Sequence, residues 1–225
     1  MNVSGKTLFG SELLLLEIDT SKYRPSIIHA SEYGSKKLHV ENLCKKSNAL
    51  IGINTNFFDE NDSPLGLSIS RGRKKQKIHW GGRTLTGVFQ HTSQKSAIVH
   101  RKDFKFTGVL EAFQAGPRLI ANGKKIPGIK RSGTYDRRAG ICTLNNNKIL
   151  LFISTGFSGV SLEQLQNILS KSPLSCKDAL NLDGGGSAQL YVSSEISNTN
   201  KSFNGVSIFG RDSVPAILGF LPRNS

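Results

Sequence analysis

The stretch A-L-N-L-D-G-G-G-S-A-Q-L-Y-V, residues 179–192, decides how the rest of the chain is read. Two short apolar runs of strand-like composition, 179–182 and 188–192, flank a turn made of Asp183, Gly184, Gly185, Gly186 and Ser187. Three consecutive glycines cost backbone entropy and are tolerated where the chain must take left-handed dihedrals or lie against a ligand. Asp183 ends a buried run, so it places a carboxylate at the mouth of the turn. Ser187 adds a hydroxyl, and the glycine N–H groups can form an anion-binding nest. On local chemistry alone the same residues also read as a tight hairpin with a capping Asp.

Working outward, the S-L-E-Q sequence at 161–164 is a capping box that opens a helix over 162–170. Leu162, Leu165, Ile168 and Leu169 share one face of it, and Pro173 ends it. Residues 138–154 read as two strands around the asparagines at 145–147, and Asn122-Gly123 is a hairpin signal. Nearer the start, 12–19 and 25–30 read as strands joined by a turn at 21–24. Residues 38–47 read as a short helix with Lys45 and Lys46 at its negative pole. The apolar run 49–54 reads as a buried strand, and 66–70, 85–90, 97–100 and 214–221 as further strands. There is no linker, repeat or low-complexity segment. The expectation is one domain over 1–225, of α+β class, with a central mixed β-sheet and a few short helices.

A second polar cluster follows the 49–54 run: I-N-T-N-F-F-D, residues 53–59. Asn54, Asn56 and Asp59 surround a phenylalanine pair at the end of a buried strand. Residues 59–63, D-E-N-D-S, have a superficial calcium-loop look. The loop lacks the glycine at its sixth position, and its twelfth residue is Ile69 rather than glutamate, so a polar turn is the better reading. The five histidines show no ligand spacing. Trp80, beside Gly81-Gly82, reads as a core residue or as a sugar-pocket wall.

Composition bounds the function. With 30 Lys and Arg against 16 Asp and Glu, the 225 residues carry a net +14, a field that attracts anionic partners. The excess concentrates in R-G-R-K-K-Q-K (71–77) and in 124–138, read as solvated basic faces or partner-attracting patches. With no recognition helix, zinc finger or RNA-binding motif, and no interleaved aromatics, no nucleic-acid partner is expected. No apolar run approaches the roughly 20 residues of a membrane helix, so no integral membrane segment is expected. The opening ten residues lack the pattern of a secretory leader. The compartment stays open between export, if a leader has been trimmed, and the cytoplasm. Cys44, Cys142 and Cys176 have no metal-ligand spacing and read as mostly free, with one disulfide possible on export.

Four pieces line up in order: I-N-T-N-F-F-D with P-L-G (53–59, 64–66), Q-A-G-P-R-L-I-A-N-G-K (114–124), R-R-A-G-I (137–141) and N-L-D-G-G-G-S (181–187). Together they resemble the phosphodiester glycosidase family, from about residue 49 to 220, with V-P-A-I-L-G-F as the closing strand. The resemblance places Asn54 and Asp59 on the first motif, Gly116 and Pro117 on the G-P turn, and Asp183 to Ser187 on the glycine-rich motif. Thr55 and Asn56 stand where many members have two glycines. The arginine motif falls on Arg138, with Arg137 as the alternative register.

The resemblance implies hydrolysis of the bond between a sugar anomeric carbon and a phosphodiester, on an N-acetylglucosamine-1-phosphodiester-like substrate. Asp183 is then the candidate nucleophile or general base, and Asp59 the other candidate carboxylate. Asn54 orients the substrate, and Arg138 or Arg118 stabilises the leaving phosphate. Asn56, Gly116, Pro117, Arg137 and the glycine turn with Ser187 would complete the binding surface. The scheme uses no cofactor and no metal. The rival reading is a non-catalytic binding protein for an anionic glycan or cell-wall polymer.

Overall fold

The computed structural model describes residues 2–8, 11–129, 134–145, 147–156, 158–196 and 204–223. In order, the chain forms β1 (Asn2–Leu8), β2 (Ser11–Asp19), β3 (Tyr23–His29), α1 (Val40–Ser47) and β4 (Ile51–Asn54). It continues through β5 (Ser68–Ser70), β6 (Arg73–Gln76), β7 (Gly87–Thr92), β8 (Ser96–His100) and β9 (Val109–Ala115). Next come β10 (Arg118–Ala121), β11 (Lys124–Lys125), β12 (Ala139–Thr143), β13 (Lys148–Ser154) and α2 (Leu162–Leu169). The last elements are β14 (Asp178–Asn181), β15 (Leu190–Val192), β16 (Val206–Ile208) and β17 (Ala216–Pro222).

These strands build three sheets. The first has the order β1-β2-β13-β12-β14-β10-β11, the second β16-β15-β4-β17-β3 and the third β6-β5-β9-β7-β8. The α+β class holds, but the single central mixed sheet is replaced by three sheets whose strands pair antiparallel throughout. The reason lies in the connections. Neither helix makes a crossover between parallel neighbours; both lie outside, one against the first sheet and one against the second.

Strand alternation sorts the side chains. The four leucines of β2 make an unbroken apolar run because both faces of the first sheet are covered. Leu14, Leu16 and Ile18 face a central core, while Leu13 and Leu15 face a layer closed by α2. The neighbouring β13 repeats the pattern, with Ile149, Leu151 and Ile153 inward and Leu150 and Phe152 towards α2. In the second sheet Ile51, Ile53, Leu218 and Phe220 reach the same central core, and Ile217 faces α1. The third sheet adds Phe89, Ile98 and Phe113, with the two rings 5.4 Å apart. One apolar core is therefore shared by three sheets.

Helix α2 begins where the capping box places it: the Gln164 N–H donates to Ser161 Oγ at 3.2 Å and the Ser161 N–H to Gln164 Oε1 at 2.9 Å. Beneath it, Cys142 and Cys176 form a buried disulfide, tying β12 to the segment that leads into β14. The reading of the cysteines as mostly free is corrected on this point. Their 34-residue separation hid a pairing that the antiparallel β12–β14 contact creates. Cys44 alone is free, and burial pushes its thiol pKa up.

Candidate active site

Residues 182–189 are not a hairpin. Strand β14 belongs to the first sheet and β15 to the second, so the glycine turn carries the chain across the gap between them. The crossing is pinned from β4. Asn54, fully buried, donates from Nδ2 to the Asp183 carbonyl at 2.7 Å and accepts the Gln189 N–H at Oδ1, 3.1 Å away. The Asp183 N–H donates to the Thr55 carbonyl at 3.2 Å. Gln189 fastens the far side, donating from Nε2 to the Asp212 carbonyl at 2.7 Å and accepting the Val40 N–H at 3.1 Å.

Each glycine answers a local demand. A Cβ on Gly184 would sit 2.7 Å from the Arg137 carbonyl, and one on Gly186 only 2.1 Å from Asp212 Oδ2. Gly185 has a φ of +57°, in the left-handed region. The turn is thus packed against its own neighbours rather than left open as an anion nest. The Gly184 N–H donates to Asp183 Oδ1 at 3.0 Å, the Gly185 N–H to the Arg137 carbonyl at 2.9 Å, and the Ser187 N–H to the Gly184 carbonyl at 3.0 Å.

Asp183 is the electrostatic centre. Burial raises its carboxyl pKa to about 6, and the nearby charges of Asp212 and Asp136 push the same way. Hydrogen bonds from Ser187 and the Gly184 N–H oppose that rise without cancelling it. Asp136 lies against Gly185, and Asp212 against Gly186. Neither flanking carboxylate stood out in the sequence. Their only signal is adjacency to arginine, in Y-D-R-R (135–138) and G-R-D (210–212).

A cleft of about 630 Å³ opens on this turn, lined by Asp136, Arg137, Gly185, Gly186 and Arg211. Two exposed rings, Tyr135 and Phe209, also face it. Arg137 is held by carbonyl acceptors, donating from Nη2 to Ala188 at 2.9 Å and Phe209 at 2.8 Å. Arg138 lies one layer deeper, donating from Nε to the Val160 carbonyl and from Nη2 to the Thr134 carbonyl, both at 3.1 Å. Its Nη1 lies 3.8 Å from where a Cβ on Gly184 would sit, so it approaches the turn from beneath. Burial lowers the Arg138 pKa, with Asp136 acting in the opposite sense.

The other sequence candidates fall elsewhere. Asp59 closes its own turn, accepting the Asn61 and Ser63 N–H groups at 2.9 Å, and it neither lines the cleft nor figures among the charges acting on Asp183. Asn54 braces the crossing from β4 with both ends of its amide. Asn56 is buried, its Nδ2 shared among the carbonyls of Leu65, Leu67 and Gln114. Gly116 and Pro117 join through a cis peptide bond, and a Cβ on Gly116 would strike the Thr84 carbonyl at 1.9 Å. Arg118 turns the other way, its stem against Gly87 and its charge near Asp178 and Asp103. Trp80 is 60% exposed, neither core nor part of the cleft. Among the described residues no group of three or more His, Cys, Asp or Glu side chains is placed to share a metal ion.

Comparison with known proteins sharpens this geometry. Residues 47–221 match the phosphodiester glycosidase domain family, and the chain belongs to that family. Membership carries a glycosidase-type hydrolytic function. The fold is similar to the zebrafish N-acetylglucosamine-1-phosphodiester alpha-N-acetylglucosaminidase catalytic domain, solved auto-inhibited by its pro-peptide, with a TM-score of 0.73 at 16% identity over 99% of this chain and 82% of that one. It is also similar to a hypothetical protein from Synechocystis, at TM-score 0.66 and 15% identity over 98% of this chain and 61% of that one. A putative exported protein from Burkholderia pseudomallei gives 0.64 at 14% identity, covering 94% and 74%. A search of the curated proteins gives no match.

Proposed function

We propose that the cleft at the glycine turn hydrolyses the bond between a sugar anomeric carbon and a phosphodiester, on a substrate like an N-acetylglucosamine-1-phosphodiester. The observation that carries this reading is the Asp183 carboxyl, its pKa raised to about 6, on the turn whose Gly185 and Gly186 line a cleft that also presents guanidinium groups and exposed rings. The substrate class is supported by the similarity of the fold to the zebrafish N-acetylglucosamine-1-phosphodiester alpha-N-acetylglucosaminidase.

The chemistry is coherent with these groups. A departing phosphomonoester is a weak base, with a second pKa of about 6, so it needs charge stabilisation more than a proton. Arg137 lines the cleft and Arg138 backs the turn, so both can offset charge on the leaving phosphate. A carboxyl with a pKa near neutrality is ionised enough to act on an anomeric carbon or on water, and basic enough to hold a proton. Asp183 therefore serves as nucleophile or general base. Tyr135 and Phe209 offer flat apolar surface to a sugar ring, and Arg211 adds charge at the rim.

The test is hydrolysis of a panel of sugar-1-phosphodiesters, led by α-N-acetylglucosamine-1-phosphate esters, by wild type and Asp183→Asn side by side. Turnover by wild type that is lost in the variant is the expected result. Saturable glycan binding with no turnover on any diester would instead favour the non-catalytic binding protein.

A further inference from the structure

The basic segment 71–77 takes no part in the glycine-turn cleft. Most of it forms β6, an edge strand of the third sheet with exposed arginine and lysine side chains. Two cavities lie beside that edge. One, of about 370 Å³, is lined by Lys36, Lys75, Asp62, Asn61, Ser63 and Gln76, with Ser31 at its side and His29 set into its wall. The other, of about 210 Å³, is lined by Glu32, Ser70, Arg71, Arg73 and Lys75. Lys75 belongs to both, so the cavities adjoin as one groove. Neither shares a lining residue with the cleft beside Asp183.

The charge in the groove is unbalanced. Glu32 pairs with Arg71 at 2.8 Å and more distantly with Lys75 at 3.8 Å, while Asp62 is taken by Lys37 at 2.6 Å. Lys36 and Arg73 have no ion-pair partner among the described residues. Between the cations stand hydroxyl and amide groups, from Ser31, Ser63, Ser70, Asn61 and Gln76. This pairing of lysine and arginine with neutral donors and acceptors suits phosphate oxygens alternating with alcohols. No Phe, Tyr or Trp ring lines either cavity, and the one imidazole, His29, is buried in the wall, so stacked bases would find no broad platform here.

We propose that this groove, walled by the 31–36 segment, the 61–64 loop and strands β5 and β6, binds a polyanionic chain of polyol or sugar units joined by phosphodiesters. It is a separate site from the glycine-turn cleft and does not depend on that cleft being hydrolytic. The net +14 draws such a chain to the protein, and the groove gives it a place to lie.

The experiment titrates the full chain with a short poly(glycerol phosphate), which has no anomeric carbon for a glycosidase to act on. Lys36→Gln with Lys75→Gln should weaken binding about tenfold at low salt and less at high salt. Lys36→Arg with Lys75→Arg should keep the affinity, and Arg211→Gln in the cleft should leave it within about twofold. All three positions substituted are exposed at the surface, and circular dichroism checks that each variant is folded. Equal binding by the double Gln variant, or a loss that follows Arg211→Gln instead, overturns the proposal. A single-stranded oligonucleotide of matched charge should bind more weakly; equal or tighter binding would overturn the polyol-phosphate assignment.

Discussion

Two carboxylates, Glu111 and Asp183, are both held above their ordinary pKa by burial, yet they sit in opposite kinds of surroundings. Glu111, on β9, has both oxygens engaged by backbone donors from other elements: the Ile27 N–H at 2.8 Å and the Arg71 N–H at 3.1 Å. Those bonds and the nearby Arg24 and Arg71 charges pull against the burial. Asp183 is bonded by its own turn, at Gly184 and Ser187, and feels the charges of two further carboxylates, Asp212 and Asp136. The first arrangement spends the charge on holding sheets together. The second leaves it under repulsion, on the turn whose glycines line the cleft. A raised pKa alone does not separate the two; the origin of the hydrogen-bond donors does.

Breaking each partner should therefore fail in different ways. The largest effect expected is on turnover: Asp183→Asn should lower kcat by at least about a thousandfold, roughly 4 kcal/mol of transition-state stabilisation, with the fold retained. Glu111→Ala should instead cost about 3 kcal/mol of stability, because two buried N–H groups lose their acceptor. Its kcat, measured while the protein remains folded, should stay near wild type. Urea unfolding and steady-state kinetics on both variants check the pair, and a crossed pattern would dissolve the contrast.

The pH dependence is a smaller effect. Asp183 binds its proton more tightly in the folded state, with a pKa of about 6 against an ordinary 3.8, so it opposes folding once ionised. Its contribution is neutral below the unfolded value and turns unfavourable as the pH rises to about 6. Asp183→Asn removes that opposition, so the variant's stability advantage over wild type should grow by about 2 kcal/mol between pH 4 and pH 7. A flat difference across that range would place the carboxylate in a wetter setting. Smallest of all, Asp212→Asn removes one repelling charge and should move the acid limb of the pH–rate profile to lower pH by a fraction of a unit. Movement the other way would show that Asp212 acts mainly through its hydrogen bonds.

The same contrast explains what could be read in the chain. Strand β2, helix α2 and the strand ending at Asn54 are legible because covered faces demand apolar residues at period two or 3.6, and Ser161 and Gln164 mark a helix start. Strand β9, V-L-E-A-F-Q-A, was not legible. Glu111 and Gln114 interrupt its apolar pattern, and both are buried because they hold backbone groups of distant segments. Strand β6 escaped for the opposite reason: an edge strand facing solvent can be wholly polar, so R-K-K-Q reads as a charged loop. At the site, Asp183 stood out through its glycines. Asp136 and Asp212 are distant in sequence and meet it only because the crossing turn gathers the start of β12 and the loop before β17. Asn54 is legible as a polar residue ending a buried strand, but its bonds to the Asp183 carbonyl and the Gln189 N–H are not, because those partners lie more than a hundred residues away.

That crossing turn makes the Asp183 carboxyl a suspended one. Asp183 hangs between two sheets, its carbonyl fastened to the second through Asn54 and its neighbour Gly185 fastened to the approach to the first through the Arg137 carbonyl. Its position is the resultant of how the two sheets are seated on their common core. The protein is in this sense a gauge of its own interior: a small slip between sheets would register first at the Asp183 carboxyl.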